Sequence, residues 1–422
     1  MASFSAKERY IARILSSMPE LKNKIKYIYQ AICYYRYGTK NPQFRSDYPI
    51  LPIGVFDGNS SSFGGYYDRP IIYGENAFTH LTLCDTSKEP QRNKNVDICV
   101  YNLQQQNIRK IGKSFSYTWQ QGCKTQWIDD DRLIFNVYED NRYQSQVFSL
   151  KENKVVNKYA WPNQDSYKDQ FFLSINYSRI MALRPDYGYR NLSLPTKDEM
   201  KDVENDGIRL VDFHSGEARM LHSLKDIASV EYKRIFNKCI HVANHLMINK
   251  DGSRFIFIHR FYDGKVRHDR LMVSDFKSMK VLVDNDMVSH CHWIDNERII
   301  GYFRYQEKDG FYYCNVVTGE VTCCEVMTAL QNGDGHPSCF GEWITFDSYP
   351  DKGRMQHLYL YNVATKQMAH LLEVKHGLKF QGEGRCDLHP RFSADGKYIS
   401  FDSVMSGKRQ QYYINVENII NR

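Results

Sequence analysis

The sequence has no C-x-x-C pair. Its eleven cysteines, an odd number, are scattered singly except for Cys323–Cys324, which excludes a zinc ribbon and argues against a disulfide framework in so long a chain. No stretch of 18 apolar residues occurs, and the N-terminus has neither a charge-free apolar core nor a cleavage-site pattern, so neither a membrane-spanning helix nor a secretion signal is expected. Dense Lys/Arg blocks are also missing. The 56 basic and 49 acidic residues are interspersed for a net charge of +7, a mild basicity that excludes nucleic acid as the expected partner. Proline (12) and glycine (25) are modest for 422 residues, which rules out collagen-like or low-complexity structure. These absences together lead to the expectation of a reduced, soluble, cytoplasmic protein.

Aromatic residues are plentiful: 31 Tyr and 23 Phe favour strand-rich packing. The first part of the chain is the exception. Over residues 6–36, Ile11, Leu15, Met18, Leu21, Ile25, Ile28 and Ile32 recur at helical steps with Lys and Arg between them, predicting a basic amphipathic helix that Pro19 breaks in two. Such a helix either docks on the body of the protein or makes peripheral contact with an anionic membrane surface; docking is the reading preferred from the pattern.

Downstream, strand patterns repeat. NHLMINKDGSRFIFIHR from Asn244, SHCHWIDNERIIGYFR from Ser289, GHPSCFGEWITFDS from Gly335 and LHPRFSADGKYISFDS from Leu388 each read as a strand, a tight polar turn and a second strand. Their opening histidines, His245, His290, His336 and His389, are 45, 46 and 53 residues apart, the period of four-stranded propeller blades. The template recurs from Gln120, where Trp127 and Asp129–Asp131 match Trp293 and Asp295–Glu297, and again from Asp169. With one further blade over about 66–112, the fold class is all-β, a seven-bladed β-propeller with a short N-terminal helical segment. The expected organisation is a helical segment over 1–45 and the propeller over 46–422, closed by a strand from DYPILPIGVF (47–56), since an unpaired edge is a liability. A pair of β-sandwiches is the competing architecture.

In a propeller the first strand of each blade lines the channel, and the start of that strand lies beside the end of the second. Lys124, His245, His290, His336 and His389 therefore share one mouth with Asn136, His259, Arg260, Asp347 and Asp402. Four imidazoles converging from separate blades suit a divalent metal such as Mn or Zn, with Asp334 or Asp387 as ligands or orienters. Each histidine taken singly is also compatible with a simple hydrogen bond to the neighbouring blade. Around the mouth, Arg184, Tyr187, Tyr349, Arg385, Asp387 and Arg409 offer bidentate and stacking contacts that suit acidic sugars.

The units FSADGKYISFDS and NKDGSRFIFIHR resemble the repeats of TolB-like and WD40-like propellers. The larger set QQGCKTQW, RPDYGY, NHLMINKDGSRFIFIHR, VSHCHW, SYPD and RCDLHPRFSADG resembles the bacterial oligogalacturonate lyase-like seven-bladed propellers over roughly residues 115–415. That resemblance implies a metal held by channel-mouth histidines and β-elimination on a uronate-containing oligosaccharide or cell-surface glycan. In this scheme His245, His290, His336 and His389 take the metal, Arg260 or Arg184 the carboxylate, and His259 or Tyr187 the proton. The competing function is a non-catalytic glycan- or protein-binding propeller, for which polysaccharide biosynthesis is one setting.

Overall fold

A computed structural model of the chain describes residues 19–38, 40–54 and 59–421. Seven antiparallel sheets are arranged as the blades of a propeller. Their innermost strands are Ser61–Phe63, Gln126–Trp127, Asp165–Tyr167, Ile240–Ile248, Val288–Trp293, Ser338–Phe340 and Arg391–Phe392, for blades 1 to 7 in chain order. Each blade runs outward through successive hairpins. The ring closes as expected from 47–56: Leu51–Ile53 pairs antiparallel with Gln410–Asn415 and completes blade 7.

The repeated sequence template has a repeated physical cause. In blade 2, Asp129 Oδ1 accepts from the Asp131 and Arg132 amides at 2.9 and 2.7 Å, and Arg132 Nε donates to Asp129 Oδ2 at 2.7 Å. Blade 5 rebuilds the same turn with Asp295, Glu297 and Arg298, at 2.9, 2.7 and 2.6 Å. The tryptophan before each turn reaches back one blade: Trp127 Nε1 donates to Ile71 O at 2.6 Å and Trp293 Nε1 to Met247 O at 2.8 Å. The Asp thus makes the tight turn between the first two strands, and the Trp fastens neighbouring blades, its ring buried at Trp293 and partly buried at Trp127. All eleven cysteines are free.

The N-terminal prediction is met in part. A helix spans Pro19–Cys33, with proline at its first position, where the missing N–H costs nothing; residues 6–18 of the predicted stretch lie outside the described residues. The described members of the apolar stripe are not buried against the ring. Ile25, Ile28 and Ile32 are 42, 59 and 61% exposed, because the described chain meets the ring past the helix end, where Asn41 Nδ2 donates to Gly353 O at 3.2 Å and Lys375 Nζ to Asn41 O at 3.1 Å. The following strand, Phe44–Arg45, adds a fifth strand to blade 6. Among the described residues, no helix is long and apolar enough to cross a membrane.

Candidate functional site

The inner strands turn their first side chains into the channel through irregular backbone. In blade 4 the register shifts between Asn244 and Met247, and in blade 5 between Val288 and Cys291, so His245 and His290 both fall on bulges. Lys124, His245 and His389 have φ of 50°, 53° and 46°, a left-handed conformation that costs a non-glycine residue about 1 kcal/mol or more and clusters at functional sites.

Three imidazoles are gathered and fixed in the same sense. The ring centroids of His290 and His336 are 3.9 Å apart and those of His336 and His389 are 4.4 Å apart. His336 Nδ1 lies 2.9 and 3.0 Å from the Asp347 carboxylate oxygens, His290 Nδ1 lies 3.1 Å from Asp334 Oδ1, and His389 Nδ1 lies 3.0 Å from Gly65 O. A carboxylate or carbonyl oxygen only accepts, so each Nδ1 carries a proton and a neutral ring presents its lone pair at Nε2. Burial disfavours the charged form of His336, but Asp347 and the neighbouring carboxylates more than reverse this and raise its basicity, so an ion would have to displace a proton from it. The Nε2 atoms of His336 and His389 are buried with no hydrogen-bond partner. Ligand atoms of His336, His389 and Asp387 lie within 4.8 Å of one another. Burial pushes the Asp387 carboxyl up, but Arg385, Nε to Oδ2 2.8 Å, and His336 more than reverse this and hold it below the usual carboxylate range. Oriented imidazoles, an ionised carboxylate and orphaned buried nitrogens fit a divalent cation.

His245 stands apart from this trio. Its ring stacks on Tyr66 (5.3 Å, 17°) and meets Tyr187 edge-on at 4.8 Å, and its buried Nδ1 has no partner. Burial, then Arg260 and Arg184, push its basicity well below the ordinary value, so the ring is neutral.

Two residues at the centre of the site escaped the sequence reading: Tyr66 and Tyr67. Tyr66 lies against all four histidines, with centroid distances of 5.3, 6.4, 6.4 and 5.0 Å to His245, His290, His336 and His389. The GGYYD segment that carries them is clamped from blade 7. Asp402 accepts from the Gly64 amide at 2.9 Å and the Gly65 amide at 3.4 Å, and Arg391 holds Asp402 at 3.0 Å and Gly65 O at 3.1 Å. Gly65 has φ +107°, and a Cβ there would lie 2.9 Å from Gln121 O, so only glycine fits. Behind the pair, Lys124 Nζ meets Asp68 Oδ2 at 2.5 Å, both buried. The recoverable signal was a glycine pair leading directly into an aromatic doublet and an acid.

A cavity of about 230 Å³ opens beside the histidines, and its lining includes Arg184, Tyr187, Arg260, Tyr349 and Arg385 together with His245 and His290. Arg385 reaches Asp186 at 3.2 Å and Tyr187 Oη at 3.4 Å. Two expected residues are elsewhere. His259 is fully buried on the opposite face of its strand from Arg260, and both its nitrogens are engaged: Nε2 with His241 Nδ1 at 2.9 Å, Nδ1 accepting from Arg270 at 2.9 Å. Arg409 is buried behind the mouth, its guanidinium donating to the Gly384 and Arg385 carbonyls at 3.1 and 2.7 Å; it supports the Arg385 loop and does not line the cavity. The physical reason is strand alternation in the first case and backbone capping in the second.

Fold and site together define a seven-bladed propeller with a histidine-lined, arginine-rimmed channel mouth. No protein-family model matches the chain, and no curated protein matches it by sequence. Among solved structures it is similar to an oligogalacturonate lyase in complex with manganese, at TM-score 0.57 and 14% identity over 92% of this chain and 100% of that one. It is also similar to the oligogalacturonate lyase of Vibrio parahaemolyticus, at TM-score 0.53 and 14% identity over 89% and 98% of the two chains. The likeness is one of fold: this chain has the seven-bladed propeller architecture of those lyases.

Proposed function

We propose that the channel mouth binds a divalent metal, manganese or zinc, and cleaves a uronate-containing oligosaccharide or glycan by β-elimination. The observation that supports this most is the pair His336 and His389, each with Nδ1 tied to an acceptor and Nε2 buried without a partner, within ligand distance of Asp387, with the His290 ring set against His336 and its Nδ1 tied to Asp334. These four residues would hold the ion, which when bound supplies Lewis-acid stabilisation of the charge developing on the substrate carboxylate. Arg260, Arg184 and Arg385 bind and orient that carboxylate from the cavity wall. His245, neutral and with no hydrogen-bond partner at its buried Nδ1, accepts the proton from the carbon next to the carboxylate once substrate fills the cavity; the C–O bond at the adjacent carbon breaks as the alkene forms. Tyr187, which touches both His245 and Arg385, gives a proton to the leaving oxygen. The cavity, at about 230 Å³, lies below the ~300 Å³ at which drug-sized sites begin, and so suits one acidic sugar residue at a time.

The test is turnover of defined uronate oligosaccharides with added Mn or Zn, followed by ultraviolet absorbance of the unsaturated product. Saturable binding without product would favour the non-catalytic glycan-binding propeller instead. A second contact is proposed for the helix: its exposed Ile25, Ile28 and Ile32, with Lys22, Lys24 and Lys26 interspersed in sequence, suit an anionic membrane surface.

A further inference from the structure

Blade 6 holds a second group of ligand-type side chains, far out on the sheet, that the channel site does not use. His357 lies on the third strand, Met355–Asn362, and His370 and Glu373 lie on the fourth, Met368–Lys375. The register shift between Leu358 and Tyr359 places His357 opposite Glu373 and Tyr359 opposite His370. His357 Nδ1 is 3.3 Å from His370 Nε2 and 3.7 Å from Glu373 Oε1, and one ligand atom from each residue lies within 4.8 Å of the others. Two imidazole nitrogens held tetrahedrally by zinc at ~2.0–2.1 Å sit about 3.3–3.4 Å apart, which is the spacing found here.

The surroundings prepare these atoms. Glu373 gives its other oxygen, Oε2, to Arg45 at 3.0 Å, which fixes the carboxylate and leaves Oε1 directed at His357. His357 is buried, and its Nε2 has no hydrogen-bond partner and faces Asp351 Oδ2 at 3.8 Å. A proton on Nε2, on the carboxylate side, leaves the Nδ1 lone pair toward His370 and Glu373. Tyr359 stacks on the His370 ring at 4.8 Å and 23° and sets its plane. His370 is exposed and Glu373 half-buried, so the cluster is accessible to an ion from solvent.

We propose that His357, His370 and Glu373 form a second divalent-metal site, selective for a borderline cation such as zinc over magnesium or calcium because two of its three ligands are imidazoles. Arg45 belongs to the short strand that pairs with Val374 and Glu373, so an occupied site braces the point where the N-terminal segment joins the ring. The alternative is a plain hydrogen bond between the two rings. Zinc binding by equilibrium dialysis separates them, with the channel site silenced by His336→Ala. That variant is expected to retain one zinc per chain, the His336→Ala/His370→Ala double variant to lose it, and Glu373→Gln on the same background to bind at least tenfold more weakly. Equal zinc binding by the single and double variants, or none by the single, overturns the proposal. Should the variants fail to fold, wild-type crystals soaked in zinc serve: anomalous diffraction at the zinc edge is expected to show a peak between His357, His370 and Glu373, and its absence overturns the site.

Discussion

The imidazoles of His290 and His336 face each other across two blades with centroids 3.9 Å apart, and each hangs from its own carboxylate, Asp334 and Asp347. Asp347 does more than orient one ring. It also accepts the amides of His336 at 2.7 Å and His389 at 3.2 Å, so a single side chain aligns ligands from blades 6 and 7.

Asp347→Asn keeps the shape but removes the charge that fixes the His336 proton on Nδ1. Metal affinity is expected to fall by about 10–100-fold, measured by competition with a chelator, while the circular dichroism spectrum keeps its strand signature. Unchanged affinity would mean that Asp347 serves only the backbone.

His259→Ala tests the residue that the fold places outside the mouth. It removes the ring that accepts from Arg270 and pairs with His241, leaving a buried guanidinium short of a partner. The expected result is a loss of about 2–4 kcal/mol of stability in urea denaturation, with metal content unaltered. Loss of turnover at unaltered stability would return it to the chemistry.

Gly65→Ala places a Cβ at φ +107° and 2.9 Å from Gln121 O, and displaces Tyr66 and Tyr67. Destabilisation of about 1–3 kcal/mol is expected, accompanied by weaker metal binding; a neutral outcome would show that the GGYYD segment is not clamped as described.

Stability should also depend on acid through histidines that are buried and neutral. Burial lowers His80 to about 4 against the opposing hydrogen bond to Phe63 O, and likewise lowers His292 to about 4 against its hydrogen bond to Trp293 O. The unfolded chain protonates these rings below 6.5 and therefore binds more protons than the folded one. Stability falls as pH drops from 6.5 toward 4, each ring adding a slope of about 1.4 kcal/mol per pH unit, and neither contributes above that window. Urea midpoints that stay flat across it would contradict the neutral assignment.

Replacing Ile28 and Ile32 together by Glu should abolish co-sedimentation with anionic vesicles and leave the melting temperature of the ring within a degree or so, because both side chains are exposed. A large drop in melting temperature would instead show that the helix is part of the folded body.

The architecture was legible because it is periodic: the Asp129–Arg132 and Asp295–Arg298 turns leave the same residues at the same offsets, and the closing strand was visible as an apolar run before the first blade. What strand pairing alone decides was not legible. His259 and Arg260 both sit near the end of a second strand, yet alternation sends one to the channel and the other behind the sheet, and a one-residue change in register reverses them. The bulge at Asn244–Met247 likewise separates His245 from the trio in a way no repeat template shows. Tyr66 and Tyr67 lie just past an inner strand, outside the aligned template, so the period said nothing about them.

The most direct test of the channel-mouth account compares bound metal and unsaturated-product formation on the same preparations of wild type, His336→Ala and His245→Ala. The account predicts metal and turnover in the wild type, loss of both in His336→Ala, and retained metal with turnover reduced at least a hundredfold in His245→Ala, the scale of general-base catalysis. Wild-type protein that turns over fully when stripped of metal, or a His245→Ala variant as active as wild type, would contradict it.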